Sequence, residues 1–154
     1  VMIETGTKSF LHTAALMRKA LDELKCSWIK ALWDPANCLY SFERPYPDGY
    51  EILGDKIAEI HMKDLNMKKE FASVTYCPLG EGMMAPYLND IASALHRDQF
   101  QGGVILENQV TPEGGTEEDG YRLSVPVFQK IFMGDNNKER RNPYGREYTE
   151  SGCC

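Results

Sequence analysis

The stretch Ile57-Ala58-Glu59-Ile60-His61 decides the fold. It is a short apolar run that ends on a side chain suited to a divalent metal. Three other runs end in the same way: Val1-Met2-Ile3-Glu4, Ile29-Lys30-Ala31-Leu32-Trp33-Asp34 and Val104-Ile105-Leu106-Glu107. Near-continuous apolar strands belong to parallel sheets covered on both faces. In such sheets the functional groups gather at the C-terminal ends of the strands. A Glu, an Asp, a His and a Glu placed there can converge on one ion.

Helical patterns separate the runs. Ser9 is placed to cap a helix through Leu24, with Leu11, Ala14, Ala15, Leu21 and Leu24 at helical spacing. Pro35 cannot continue a ladder and forces Asp34 out of the helical region, so the second strand stops at the aspartate. A short helix over residues 48–53 leads to the third strand at 56–61. Residues 63–70 read as an exposed polar patch, and 71–77 as one arm of a small hairpin closed by Leu79-Gly80-Glu81-Gly82. A helix over 86–97 precedes the fourth strand. A Gly-rich acidic loop over 112–120 leads to a last helix over 121–133.

The predicted order is therefore βαβαβ(hairpin)αβα, an α/β chain with a parallel sheet and right-handed crossovers. Four β/α units make half of an eight-stranded (β/α) barrel, whose complete form takes roughly 250 residues. The pattern begins inside a strand at Val1, an abrupt start that leads us to expect further residues ahead of it. Residues 134–154 are polar and predict a mobile tail, ending in Cys153-Cys154.

Composition narrows the function classes. A net charge of -6 and a pI near 5.1 argue against a general nucleic-acid binder, which needs a basic face. Hydrophobic and charged shares of 42% and 26% are those of a soluble globular domain. No apolar run approaches the roughly 20 residues that cross a bilayer, so no membrane partner is expected. Five cysteines without a C-x-x-C spacing read as reduced thiols, which places the chain in the cytoplasm.

Each ligand candidate has an ordinary alternative when taken alone. A carboxylate at a strand end often caps the next helix, Asp-Pro is a common turn, and a histidine on an apolar strand is commonly a rim residue. The repetition favours a shared role, since all four predicted strands end in oxygen or imidazole donors and none in sulfur. Such a set suits Mn²⁺, Mg²⁺, Co²⁺ or Zn²⁺ rather than a structural thiolate site.

Five motifs in order carry a resemblance: Ile3-Glu-Thr-Gly6, Trp33-Asp-Pro-Ala-Asn37, Ile60-His-Met-Lys-Asp64, Pro78-Leu-Gly-Glu-Gly82 and Gly102-Gly-Val-Ile-Leu-Glu-Asn108. The sequence resembles the xylose isomerase-like TIM barrels, the sugar phosphate isomerases and epimerases. That resemblance implies that residues 1–133 are the C-terminal half of the barrel, strands five to eight. The first four strands would come from a missing N-terminal half-barrel or from a second copy in a homo-oligomer.

Carried over residue by residue, Glu4, Asp34, His61 and Glu107 match the family's metal ligands, with Glu4 and Glu107 also the catalytic acid/base pair. An ion bridging a carbonyl and the neighbouring hydroxyl acidifies the C–H between them and stabilises an enediolate. One carboxylate removes that proton and the other returns one. Asn37 stands where many members carry a second histidine. This departure weakens a DNA-endonuclease reading and leaves Asn37 to bind a substrate hydroxyl. Lys63, in the family's H-x-K-D pattern, would hold a phosphate, carboxylate or enediolate oxygen of the substrate. Trp33, Tyr40, Phe42 and Tyr46 could wall a sugar pocket, although Trp33 reads first as core.

The implied function is a divalent-metal-dependent isomerase or epimerase of a small sugar or keto-sugar. A metal-dependent dehydratase on the same barrel and a non-catalytic barrel fragment are the alternatives.

Overall fold

A computed structural model describes residues 1–68 and 73–134. Its strands are β1 (Met2–Glu4), β2 (Lys30–Trp33), β3 (Ile57–Met62), β4 (Asp64–Lys68), β5 (Ser73–Cys77) and β6 (Gly103–Leu106). β1, β2, β3 and β6 form one parallel sheet in that order, so β1 and β6 are its edges. The helices are α1 (Ala14–Leu24), α2 (Pro35–Tyr40), α3 (Tyr50–Leu53), α4 (Ala85–Arg97) and α5 (Glu117–Phe128). The α/β architecture predicted from the apolar runs is the one observed.

Alternation along the strands divides the sheet into two unlike faces. Ala31, Trp33, Ile60 and Met62 point to the helical side and are fully buried with Met17, Leu53, Leu88 and Ile91. The opposite face carries Glu4, Glu59, His61 and Glu107, and leaves Met2 and Ile105 46% and 43% exposed. Burial on both faces, expected from the runs, is thus realised on one. The helices among the described residues cover one face of the sheet, whereas a closed barrel would turn the other face onto further strands.

Helix α1 starts at Ala14, five residues after the expected Ser9 cap. Thr13 is the N-cap, accepting from the Leu16 N–H, while Ser9 Oγ accepts from the Leu11 N–H in the preceding turn. The Glu43 carboxylate takes the Ala14 and Ala15 N–H groups at 2.6 and 3.2 Å. The start of the helix is therefore fixed by a local cap together with a residue distant in sequence, which satisfies two further donors. At the other end of the chain, α5 begins inside the expected acidic loop. Thr116 and Asp119 form a reciprocal capping box there.

The polar patch over 63–70 is the largest correction. Residues 64–68 form β4, antiparallel to β5, and Lys63, Asp64 and Leu65 are buried. Asp64, 2% exposed, accepts from the backbone N–H groups of Leu65, Gly80, Gly82 and Met84 at 2.8–2.9 Å. The loop after β5 turns its amides inward onto one carboxylate, so a charged residue becomes a buried anchor. Asp64→Asn puts an amide NH₂ against those donors. It is expected to lower stability by about 2 kcal/mol, read as a lower urea midpoint at unchanged slope; an unchanged midpoint would mean that other contacts hold the loop.

Among the described residues no helix is long and apolar enough to cross a membrane. Residues 69–70 of the expected polar patch, 71–72 of the expected hairpin arm and 135–154 of the expected tail, with Cys153 and Cys154, lie outside the described residues.

Candidate metal centre

Parallel pairing sets the C-terminal ends of β1, β3 and β6 side by side, with β2 between β1 and β3. Glu4 closes β1, His61 is the penultimate residue of β3, and Glu107 follows β6 with its N–H on the Met62 carbonyl at 2.9 Å. His61 Nδ1 lies 3.7 Å from Glu4 Oε1 and 3.6 Å from Glu107 Oε2. One ligand atom from each of the three residues falls within 4.8 Å of the others. His61 Nδ1 is buried and, among the described residues, has no hydrogen-bond partner.

An unpartnered imidazole nitrogen facing two carboxylate oxygens is a poor arrangement by itself, since buried polar atoms are normally paired. A cation between the three would satisfy all of them. The donor set, one nitrogen and two carboxylates, suits Mn²⁺, Mg²⁺, Co²⁺ or Zn²⁺. The residues present therefore fit a divalent ion.

Asp34 stands beside this group and outside the three. Fully buried, its Oδ1 caps α2 by accepting from the Asn37 N–H at 3.0 Å. Its Oδ2 accepts from Lys63 Nζ at 2.6 Å and from Asn37 Nδ2 at 2.9 Å. Lys63, also buried, donates on to Glu107 Oε2 at 2.8 Å. The expected ligand Asp34 and the expected substrate-binding residues Asn37 and Lys63 thus form one chain of hydrogen bonds that ends on Glu107. Gln109 Nε2 occupies the other Glu107 oxygen at 3.0 Å.

The electrostatics follow from burial and pairing. Burial pushes the Asp34 carboxyl up to about 6, against the pull of the Lys63 ammonium and the Asn37 N–H. Burial disfavours the charged form of Lys63, but Asp34 and Glu107 outweigh it and raise the ammonium above its ordinary range. For Glu107, burial works against ionisation, yet the Lys63 and Gln109 hydrogen bonds hold the carboxyl below its ordinary range.

Sequence reasoning missed three supports of this centre. Thr5 is fully buried and ties β1 to β2; its Oγ1 accepts from the Asp34 N–H at 2.8 Å. Asn108 Nδ2 donates to the Val110 carbonyl at 2.9 Å and so fixes the chain just after Glu107. Gly120 lets α5 approach this turn, because a Cβ there would strike the Val110 carbonyl and lie 2.7 Å from Asn108 Nδ2. The expected aromatic wall divides. Trp33 and Tyr46 pack with Tyr50 on the helical side, at ring distances of 5.8 and 6.1 Å, and Phe42 is exposed.

Comparison with known proteins agrees with the barrel-type fold. The sequence profile described as xylose isomerase-like TIM barrel matches residues 1–131. No curated protein matches the chain by sequence. Among solved structures, the chain resembles the probable 3-DHS dehydratase AsbF of Bacillus anthracis at 16% identity and a TM-score of 0.61, covering 79% of this chain and 47% of that one. It resembles a xylose isomerase-like TIM barrel protein of Mycobacterium smegmatis, solved in complex with magnesium, at 14% identity and a TM-score of 0.63, covering 86% and 44%. It also resembles a D-psicose 3-epimerase, solved in the presence of D-fructose, at 16% identity and a TM-score of 0.62, covering 86% and 49%. At these identities the likeness is one of fold, and the chain spans less than half the length of each of these three.

Proposed function

This chain belongs to the xylose isomerase-like TIM barrel family, and from that premise we propose that it carries the metal-binding half of a sugar isomerase or epimerase. The substrate class is a small sugar or keto-sugar. The observation that carries the proposal is the buried, unpartnered His61 Nδ1 between Glu4 and Glu107. Glu4, His61 and Glu107 would hold the ion, with Asp34 as the fourth ligand when Lys63 shares it. The ion would supply Lewis acidity toward a substrate carbonyl and its neighbouring hydroxyl. Support also comes from the neighbours, one described with magnesium and another with D-fructose.

In this reading the chain's own residues do the proton work. Lys63 and Gln109 keep Glu107 ionised, so Glu107 takes the proton from the carbon beside the carbonyl. The C–H electron pair moves toward the carbonyl oxygen, which gains electron density. Glu4, more exposed on the other side of His61, exchanges protons with water and returns one to the opposite face. Asn37 and Lys63 are assigned to the substrate side as well, Lys63 as a cation available to a substrate oxygen beside Glu107. The open β1 and β6 edges are assigned to further β/α units, from a longer chain or a second copy. The cysteine pattern, with Cys26, Cys38 and Cys77 free, supports a cytoplasmic setting.

The test is product analysis of the Mn²⁺-loaded chain with keto-hexoses in D₂O. Appearance of an isomeric sugar carrying one solvent deuterium supports the proposal. Loss of one water instead would favour the dehydratase reading, for which the AsbF likeness speaks. Unchanged sugar with the ion bound would contradict catalysis by this chain.

A further inference from the structure

Glu59 lies two residues before His61 on β3 and shares its sheet face. Its Oε1 stands 3.5 Å from His61 Nε2, whereas Glu4 and Glu107 approach the other ring nitrogen, Nδ1. Across the ladder Glu59 pairs with Gly103 of β6, and a Cβ at Gly103 would lie 3.4 Å from Glu59 Oε2. A bare backbone at 103 thus leaves the carboxylate its space. Nothing in the family resemblance assigns Glu59 a role.

We propose that Glu59 is a positioning residue that fixes the His61 tautomer, keeping the ring proton on Nε2 so that Nδ1 presents its lone pair between Glu4 and Glu107. The reason is a competition for one proton. Two carboxylate oxygens at 3.6 and 3.7 Å would draw the proton to Nδ1, where it would occupy the space between them. A carboxylate on the far nitrogen draws it the other way, and metal-bound histidines usually have such a partner on their second ring nitrogen. Glu59 would thereby keep the centre from closing on itself. This inference rests on the metal-site reading above and deepens it.

The experiment combines two readouts on the 154-residue chain. Two-bond ¹⁵N–¹H correlation of the metal-free protein, recorded at a pH where the spectrum itself shows a neutral ring, reports the His61 tautomer directly. The parent is expected to carry the proton on Nε2. Glu59→Leu is expected to shift it toward Nδ1 and to weaken Mn²⁺ binding by roughly 10–100-fold, whereas Glu59→Gln, which retains an acceptor oxygen, restores both. A parent with the proton on Nδ1 overturns the inference, whatever happens to the variants. So does a Glu59→Leu protein that keeps the Nε2 tautomer and the parent's affinity. A parent that takes up no Mn²⁺ overturns the metal reading itself and, with it, the role of Glu59 at an ion.

Discussion

Replacing His61 with alanine is expected to abolish divalent-metal binding while leaving the fold in place. Of the three clustered ligands it is the only nitrogen donor, and its Nδ1 is the atom nearest both carboxylates. Removing an outer partner of a metal ligand costs 10–100-fold in affinity, so loss of the ligand itself should cost roughly 100-fold or more. Calorimetric titration with Mn²⁺ reads this directly. The parent should bind about one ion per chain, and Glu107→Gln should resemble His61→Ala, since it withdraws one of the two charges. The unfolding midpoint of metal-free His61→Ala should stay close to the parent's. His61 lies on the open face of the sheet, and its Nδ1 gives up no hydrogen bond. Retained affinity in His61→Ala would remove the centre from β3.

Lys63→Met should have the opposite signature, a large loss of stability before any question of metal arises. The ammonium is the buried partner of a fully buried carboxylate at 2.6 Å. Breaking a buried pair on one side leaves the other charge uncompensated and costs about 3–5 kcal/mol. The cost should depend on pH. In the parent the Asp34 carboxyl is raised from 3.8 to about 6, mainly by burial. A carboxyl raised in the folded state contributes stability that is fully present below its unfolded value and lost as the pH rises through its folded value. Without Lys63 the folded value climbs further, so the loss extends to higher pH. The gap between parent and variant should therefore be small near the unfolded carboxyl range and widen above the parent's Asp34 titration. Lys63 itself stays protonated throughout that window, being raised above its ordinary range. Urea unfolding at several pH values checks both sign and size. A gap that narrows with rising pH would mean that the lysine, and not the orphaned aspartate, governs the effect.

The two predictions separate what could be read from the sequence from what could not. The ends of the parallel strands were legible because periodicity is local, and an apolar run that stops on Glu4, His61 or Glu107 places that residue without knowledge of its neighbours. Asp34 was legible as a strand end, but its engagement was not, because its partner Lys63 lies 29 residues on, in a stretch that read as an exposed polar patch. Asp64 failed for the same reason. Its four donors arrive from its own neighbour and from the loop after β5, and no local pattern announces inward-facing amides. The start of α1 depended on Thr13 as the cap and on Glu43, a distant residue that takes the Ala14 and Ala15 N–H groups. Trp33 and Tyr46 were close in sequence to the site, yet strand alternation and packing on Tyr50 direct them to the helical face. Local chemistry thus gave the residue types at the sheet ends; long-range pairing gave their electrostatics.

One divalent ion held at the ends of β1, β3 and β6 should be visible in crystals of the chain grown with Mn²⁺. Diffraction data collected at the manganese absorption edge should show a single anomalous peak within bonding distance of His61 Nδ1 and of carboxylate oxygens from Glu4 and Glu107. A map with no peak at that position, in protein shown by calorimetry to be exposed to saturating Mn²⁺, would contradict the claim. Asp34, Lys63 and Glu107 would then be a structural ion-pair chain, and His61 a histidine without a metal.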